Sequence, residues 1–186
     1  GGLGVLPQDM NLATVERIVA HIKQADPRYD TPLDVTPKAT LRDVLGIIRK
    51  RAHDMVVVLD DARRPLGIIT HADLRDRDQY THAGEIMAKK MITIPVNTSN
   101  QEAFLLMEKE RVKAVPVVDK DGALVGIITR DGSVRSELLR ASVNENGELM
   151  VAAAIGIAQG AGEHAKALCE LGVDVIVLDT AHGHQR

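Results

Sequence analysis

Shifted by 59 residues, the sequence lies on itself, so that residues 36–73 align with 95–132 without a gap. Eight positions are then identical: Lys50/Lys109, Val56/Val115, Val58/Val117, Asp60/Asp119, and the run Gly67-Ile68-Ile69-Thr70 against Gly126-Ile127-Ile128-Thr129. A contiguous four-residue match at fixed offset marks a duplicated supersecondary unit. Such a unit cannot bury its apolar face alone and must stack on its twin.

Each copy reads as β-α-β-β-α. A short extended lead-in ends at Thr40 or Ser99, and Thr40-Leu-Arg-Asp43 and Ser99-Asn-Gln-Glu102 match the capping box that opens a helix. The first helix is expected to face inward through Leu41, Val44, Leu45 and Ile48, its counterpart through Ala103, Phe104 and Met107. Two β-rich runs follow in each copy, 55–59 and 66–69, then 114–118 and 124–128, joined by Asp-rich turns. The ending of each copy predicts a second helix.

The flanks have another pattern. Leu12, Val15, Ile18, Val19 and Ile22 share one face of a helix expected over 11–23. At the far end, 150–157 reads as an apolar strand, 161–171 as a helix closed at Gly172, and 173–178 as a second strand. Two apolar strands joined by a helix predict a parallel β-α-β crossover.

Composition narrows the function. The residues are 45% hydrophobic, yet Phe104, Tyr29 and Tyr80 are the only aromatics, so the core must be built of Val, Ile, Leu and Ala. Base stacking on aromatic platforms is disfavoured, and a net charge of -3 with mixed signs provides no basic face for a nucleic-acid backbone. No apolar run approaches the roughly 20 residues that span a bilayer, so no membrane segment is expected. Cys169 is the single cysteine, which excludes an internal disulfide and suits a reducing, cytoplasmic setting. The chain starts Gly1-Gly2-Leu3-Gly4 without an initiator Met and reads as a piece of something longer.

The Gly-Ile-Ile-Thr-x-x-Asp ending of copy one, repeated in part in copy two, resembles CBS domains, which pair into a Bateman module. Around it, Gly1-Gly-Leu-Gly-Val-Leu6 before the repeats, Val151-Ala-Ala-Ala-Ile-Gly156 after them, and Gly172 to His184 resemble the IMP dehydrogenase/GMP reductase family. Lys50-Arg-Ala-His53, Thr129-Arg-Asp-Gly132 and the segment from Asp179 to Gln185 are most similar to its CBS-containing, GMP-reductase-type branch. The resemblance implies an α/β chain, a partial (β/α)8 TIM barrel with an inserted tandem-CBS module. Its expected divisions are a barrel segment over 1–26, CBS repeats over 27–90 and 91–138, and a second barrel segment over 139–186. A full barrel takes about 250 residues, so these flanks are only part of one.

The resemblance also implies a function. The parent is expected to be an NAD- or NADP-dependent oxidoreductase of purine nucleotides, either a GMP reductase or an IMP dehydrogenase. Its partners are the IMP or GMP substrate, an adenine or guanine nucleotide effector, and further copies in a homo-oligomer, with no nucleic acid. The alternative is a stand-alone nucleotide-sensing module without catalysis, or one that binds nothing and serves only subunit contacts. The family attacks the purine with a Cys. Cys169 is not that residue, because Ala165-Lys-Ala-Leu-Cys169-Glu reads as helix interior, where Cys is usually a small buried hydrophobe. The fragment alone is therefore expected to be inactive and to hold no dinucleotide tightly.

Two groups of candidate residues follow. Asp179 ends a strand, and by resemblance it contacts the nicotinamide ribose; a carboxylate accepts hydrogen bonds from a diol, although the same residue can simply cap the next turn. Thr180, Ala181, His182 and Gly156 complete the cofactor group, Gly156 as a bare backbone position at a strand end. His182 and His184 lack the further ligands of a metal site, so no metal is expected. For the effector, Thr70 and Asp73 match the phosphate and ribose contacts of CBS domains, yet Thr70-His-Ala-Asp73 is equally a capping box. In copy two the acid stands one position earlier and Gly132 fills its usual slot, which weakens cap and clamp alike. The Asp73 site of copy one is therefore favoured, with Thr129 as the counterpart of Thr70 and with Arg130, Lys113 or Arg111 available for phosphates, each cation also readable as a solvated surface group.

Overall fold

The structure, a computed structural model, describes residues 2–157 and 160–180. The chain divides into two compact units, one of residues 1–27 and 139–186 and the other of residues 28–138. Among the described residues, no strand of one unit pairs with a strand of the other.

The first unit is a three-stranded parallel sheet with two helices. β1 (Gly4–Leu6), α1 (Leu12–Gln24), β8 (Val151–Ile155), α6 (Ala161–Glu170) and β9 (Val175–Leu178) build it, in the sheet order β1-β8-β9. Gly4 lies opposite Val151 and Ala152 opposite Val175, both pairings parallel. Sheet order thus follows chain order, with a helix between successive strands. Val15 and Val19 of α1, Leu168 of α6 and Val151, Ala153 and Ile155 of β8 form one core, so both helices cover the same sheet face. Ala152 and Ala154 point to the opposite face and are also buried, which explains an unbroken apolar strand rather than an alternating one. α1 begins where Asn11 accepts the Thr14 N–H at 2.9 Å.

The helix α6 corrects one expectation. Its inward stripe runs through Leu168, 1% exposed, while Cys169 lies one step of about 100° round the helix and is exposed. The thiol is not a core hydrophobe.

The second unit holds the duplication. Copy one has β2 (Asp34–Val35), α2 (Leu41–Ile47), β3 (Met55–Leu59) and β4 (Pro65–Thr70), followed by the short α3 (Ala83–Ile86). Copy two has β5 (Ile94–Pro95), α4 (Asn100–Glu110), β6 (Ala114–Val118), β7 (Leu124–Thr129) and α5 (Arg130–Leu138). Each copy forms a three-stranded sheet of the same order, a parallel pair followed by an antiparallel hairpin. Both predicted capping boxes are present, with Thr40 and Asp43, and Ser99 and Glu102, bonded reciprocally. The hairpin turns explain the repeated Asp. Asp60 Oδ1 accepts the Arg64 N–H at 2.8 Å, and Asp119 Oδ1 accepts the Ala123 N–H at 2.9 Å.

The copies need each other in two ways. Met55, Val57 and Leu59 of β3 share a core with Ala114, Leu124 and Ile127 of copy two, while Val56 and Val58 face α2. Val57 and Ile127 are fully buried in this seam, and burial of such a side chain is worth about 1.5–3 kcal/mol. In addition, each sheet edge is met by the lead-in of the other copy: Asp30 pairs with Ile127 and Ala88 with Ile68. The crossing chain explains the duplicated glycine, since a Cβ on Gly126 would stand 2.6 Å from Tyr29 Cβ and one on Gly67 2.9 Å from the Ala88 carbonyl oxygen.

Copy one departs from the β-α-β-β-α expectation at its end. Residues 71–76 are turns, not a helix, and Asp76 adopts φ 55. The run Asp73-Leu-Arg-Asp-Arg-Asp78 is rich in Asp, which bonds locally in competition with the helical ladder. Without a helix over it, Leu45 is 49% exposed instead of facing a core. No helix among the described residues is long and apolar enough to cross a membrane.

Candidate functional site

Three strands of the first unit run parallel, so their carboxyl ends fall on one edge. In α/β folds of this kind that edge carries the ligand chemistry, because the strand-to-helix loops converge there. Pro7 and Gln8 follow β1, Gly156 follows β8, and Asp179 and Thr180 follow β9. The Asp179 N–H donates to the Ile155 carbonyl at 2.9 Å, which extends the β8/β9 pairing to the last residue before the loop. Asp179 and Gly156 are therefore neighbours, and the Asp179 residue is exposed.

Gln8 joins them, a residue that sequence reasoning passed over. Its Oε1 lies 3.1 Å from the point where a Cβ on Gly156 would stand. Any side chain at 156 would thus press on the Gln8 amide, and glycine leaves the backbone open beside that carboxamide, with Asp179 at the end of the neighbouring strand. The only signal in the sequence was position, two residues beyond a strand. This edge can accept hydrogen bonds through Asp179 and both donate and accept through Gln8, a set suited to hydroxyls and amides of a polar ligand. Ala181, His182 and His184, named from the sequence, lie outside the described residues. Among the described residues no group of three or more His, Cys, Asp and Glu is placed to hold a metal.

The second candidate group lies in the other unit, after β4 and β7. In copy one, Asp73 Oδ2 accepts the Thr70 N–H at 2.8 Å and the Thr70 hydroxyl at 2.7 Å. The two named residues are brought together, but as a closed local turn. In copy two the polarity is reversed: Thr129 Oγ1 accepts the Gly132 N–H at 2.9 Å, and a Cβ on Gly132 would stand 2.6 Å from that oxygen. A side chain at 132 would crowd the Thr129 hydroxyl as it stands, and the cap expected to be weak is followed by a full helix, α5. The stronger-looking box in copy one is followed by none.

Arg130 and Lys113 are also adjacent, since the Arg130 N–H donates to the Lys113 carbonyl at 2.9 Å. The Arg130 guanidinium is paired with the Glu108 carboxylate of α4. Arg111 closes α4 in the left-handed conformation, φ 56, and is exposed. Cationic groups thus flank the end of β7, with one of them already neutralised.

Comparison with known proteins gives this geometry a setting. Residues 1–186 match the family model described as IMP dehydrogenase / GMP reductase domain. GMP reductase of Mycobacterium tuberculosis strain H37Rv is 36% identical over 185 residues, covering 100% of this chain and 38% of the relative. Inosine-5'-monophosphate dehydrogenase of Halalkalibacterium halodurans is 33% identical over 190 residues, covering 100% and 39%. Among solved structures, a cysteine-to-alanine variant of Trypanosoma brucei GMP reductase in complex with guanosine 5'-monophosphate aligns at a TM-score of 0.70 and 30% identity, over 100% of this chain and 41% of that one. The same enzyme in complex with guanosine 5'-triphosphate also aligns at 0.70 and 30%, over 46% of its chain. The chain thus spans less than half the length of these relatives.

Proposed function

This chain belongs to the IMP dehydrogenase / GMP reductase family, and from that premise we propose that it contributes part of a (β/α)8 barrel and a tandem-CBS module to an NAD(P)-dependent purine-nucleotide oxidoreductase. The observation that carries the reading is the parallel pairing of Gly4–Leu6 with Val151–Ile155, which joins the flanks into one sheet across the intervening unit. Sheet order in chain order, with helices on one face, supports barrel winding over that of a doubly wound sheet.

In this reading the carboxyl edge of the sheet belongs to the dinucleotide. Asp179 accepts hydrogen bonds from the nicotinamide ribose diol, with Thr180, Ala181 and His182 on the same loop. Gly156 keeps the backbone bare beside it and Gln8 orients the bound group. NAD or NADP, when bound, supplies hydride chemistry; the residues of this chain bind and orient. The purine is attacked by a Cys other than Cys169, which stands on the solvent face of α6. These 186 residues by themselves are expected to show no turnover.

The relatives make GMP reductase the first choice of activity. The test is an assay of a full-length protein that contains this chain. Ammonia released from GMP with oxidation of NADPH supports it, NADH formed from IMP moves the assignment to the dehydrogenase, and neither product sinks the oxidoreductase reading. In the same protein, Asp179→Ala is expected to raise the KM for the dinucleotide about tenfold, as loss of a charge-assisted hydrogen bond does, while the KM for the purine nucleotide holds.

For the CBS pair we propose purine-nucleotide binding at Thr70 and Asp73, with Thr129, Arg130 and Lys113 near the phosphates. A ligand there must open the Thr70–Asp73 turn and draw Arg130 from Glu108. Calorimetry of this chain with GTP, ATP and AMP tests it: saturable heat that is lost in Asp73→Asn supports the site, and none at millimolar nucleotide leaves the module a structural role.

A further inference from the structure

Copy two closes its outer helical face with its own residues. β7 runs into α5, which packs along α4, and Glu108 on one helix pairs with Arg130 on the other. Shifting back by 59 residues puts Arg49 in the place of Glu108 and His71 in the place of Arg130. Leu74 stands for Ser133 and Arg75 for Val134. The acid has become a base, both members of the pair are now basic or protonatable, and no helix forms.

What stands there instead is a groove of about 470 Å³ lined by Leu45, Arg49, His71, Leu74 and Arg75. Leu74, 9% exposed, and Leu45, 49% exposed, make an apolar floor. Among the described residues, neither the Arg49 nor the Arg75 guanidinium has a hydrogen bond or an ion pair. His71 lies within ion-pair distance of Asp54, 3.6 Å from Nε2 to Oδ1, and the Asp54 carboxylate is 60% exposed. Asp54 answers His71 alone, so the Arg49 and Arg75 charges stay without a partner among the described residues, and an anion between them relieves their repulsion.

We propose that this groove binds a phosphomonoester with an apolar body, its phosphoryl group held by Arg49, Arg75 and His71 where Glu108 serves in copy two. Two guanidinium forks match phosphoryl oxygens better than a single carboxylate, and the leucine floor takes the body of the ligand. The volume falls in the range of about 300–1,000 Å³ typical of small-molecule sites. The site does not use the Thr70 and Asp73 side chains, although His71 belongs to their turn: Asp73 folds back on Thr70, whereas Leu74 belongs to the helix-side core of Leu41, Val44 and Ile48. It does not rest on the enzyme reading.

The experiment is a titration of the 186-residue chain, by calorimetry and by the ring signals of His71, with phenyl phosphate, inorganic phosphate and phenol as separate ligands. Phenyl phosphate is expected to bind most tightly, inorganic phosphate more weakly and phenol not at all. Arg49→Glu, which rebuilds in copy one the acid of copy two, is expected to weaken phenyl phosphate about tenfold or more, the loss of one charge-assisted hydrogen bond. Lys166→Gln, an exposed lysine on α6, is expected to leave it unchanged. Arg49→Gln should lose less than Arg49→Glu, and unaltered melting of Arg49→Gln keeps the test valid if the glutamate variant fails to fold. The proposal is overturned by absence of saturable binding at about 10 mM phenyl phosphate, a weak limit for any specific site. Equal affinity for the two phosphates, or wild-type affinity for phenyl phosphate in Arg49→Glu, overturns it as well.

Discussion

Lys23 Nζ lies 2.8 and 2.7 Å from the two carboxylate oxygens of Asp174, 151 residues further along the chain. Asp174 Oδ2 also accepts the Val151 N–H at 2.8 Å. One carboxylate therefore ties the end of α1, the first residue of β8 and the approach to β9. The two side chains are 15% and 14% exposed. Burial is the largest single influence on Asp174 and pushes its carboxyl up, but the Lys23 and Val151 hydrogen bonds, the Lys23 charge and the Asn144 side chain together outweigh it and leave the group below its ordinary value.

A carboxyl held below its unfolded value contributes stability that is complete above about pH 4 and is lost as pH falls through the depressed folded value. Asp174→Ala is expected to lower the stability of the first unit by about 1–3 kcal/mol at pH 7, because Lys23 loses its partner and Val151 its acceptor. The gap to wild type narrows in melts run near pH 3. An Asp174→Ala protein that melts like wild type at pH 7 would show the contact to be ornamental.

The capping boxes make a matched pair of tests. Thr40→Ala and Ser99→Ala are each expected to cost about 1 kcal/mol in denaturant unfolding. The Asp43 carboxyl is held down first by the Thr40 hydroxyl and then by the Thr40 backbone N–H, and the Glu102 carboxyl first by the Ser99 backbone N–H and then by its hydroxyl. Both contributions exist above the ordinary carboxylate range and vanish as pH falls below it. Asp43→Asn and Glu102→Gln should therefore flatten the acid limb of the stability curve; an unchanged acid limb counts against the boxes.

Glycine substitutions separate steric need from chance. Gly67→Ala and Gly126→Ala are expected to cost about 1–3 kcal/mol each, since the added methyl meets the crossing chain at Ala88 and Tyr29. Gly46→Ala, inside α2 with nothing within 4 Å of its Cβ position, is expected to gain about 0.5–1 kcal/mol. Equal effects at all three positions would show that the crossing does not constrain the hairpins.

Asn100 offers a test of the duplication itself. Its Oδ1 is buried without a hydrogen-bond partner, and the position matches Leu41, 1% exposed in the core of copy one. Asn100→Leu is expected to raise the thermal midpoint, with a gain of about 1 kcal/mol from removing an unpaired acceptor. A fall instead would mean that an ordered water satisfies the amide.

Local chemistry was legible in the residues alone. Thr40 and Asp43, Ser99 and Glu102, the hairpins after Asp60 and Asp119, and the helical stripe of Val15 and Val19 each depend on side chains within a few positions of one another, so periodicity and spacing were enough. The family, too, was readable from short segments in the correct order. Only tertiary structure decided that Gly4 lies beside Val151, that Asp30 closes the sheet edge at Ile127 and that Gln8 stands against Gly156, because each joins residues whose separation along the chain carries no local signal. It also decided the fate of the two copy endings. The repeat marked both as helices, yet α5 forms where it can pack along α4 and pair Arg130 with Glu108, while the Asp-rich stretch of copy one, with Arg49 and His71 at the matching positions, stays in turns.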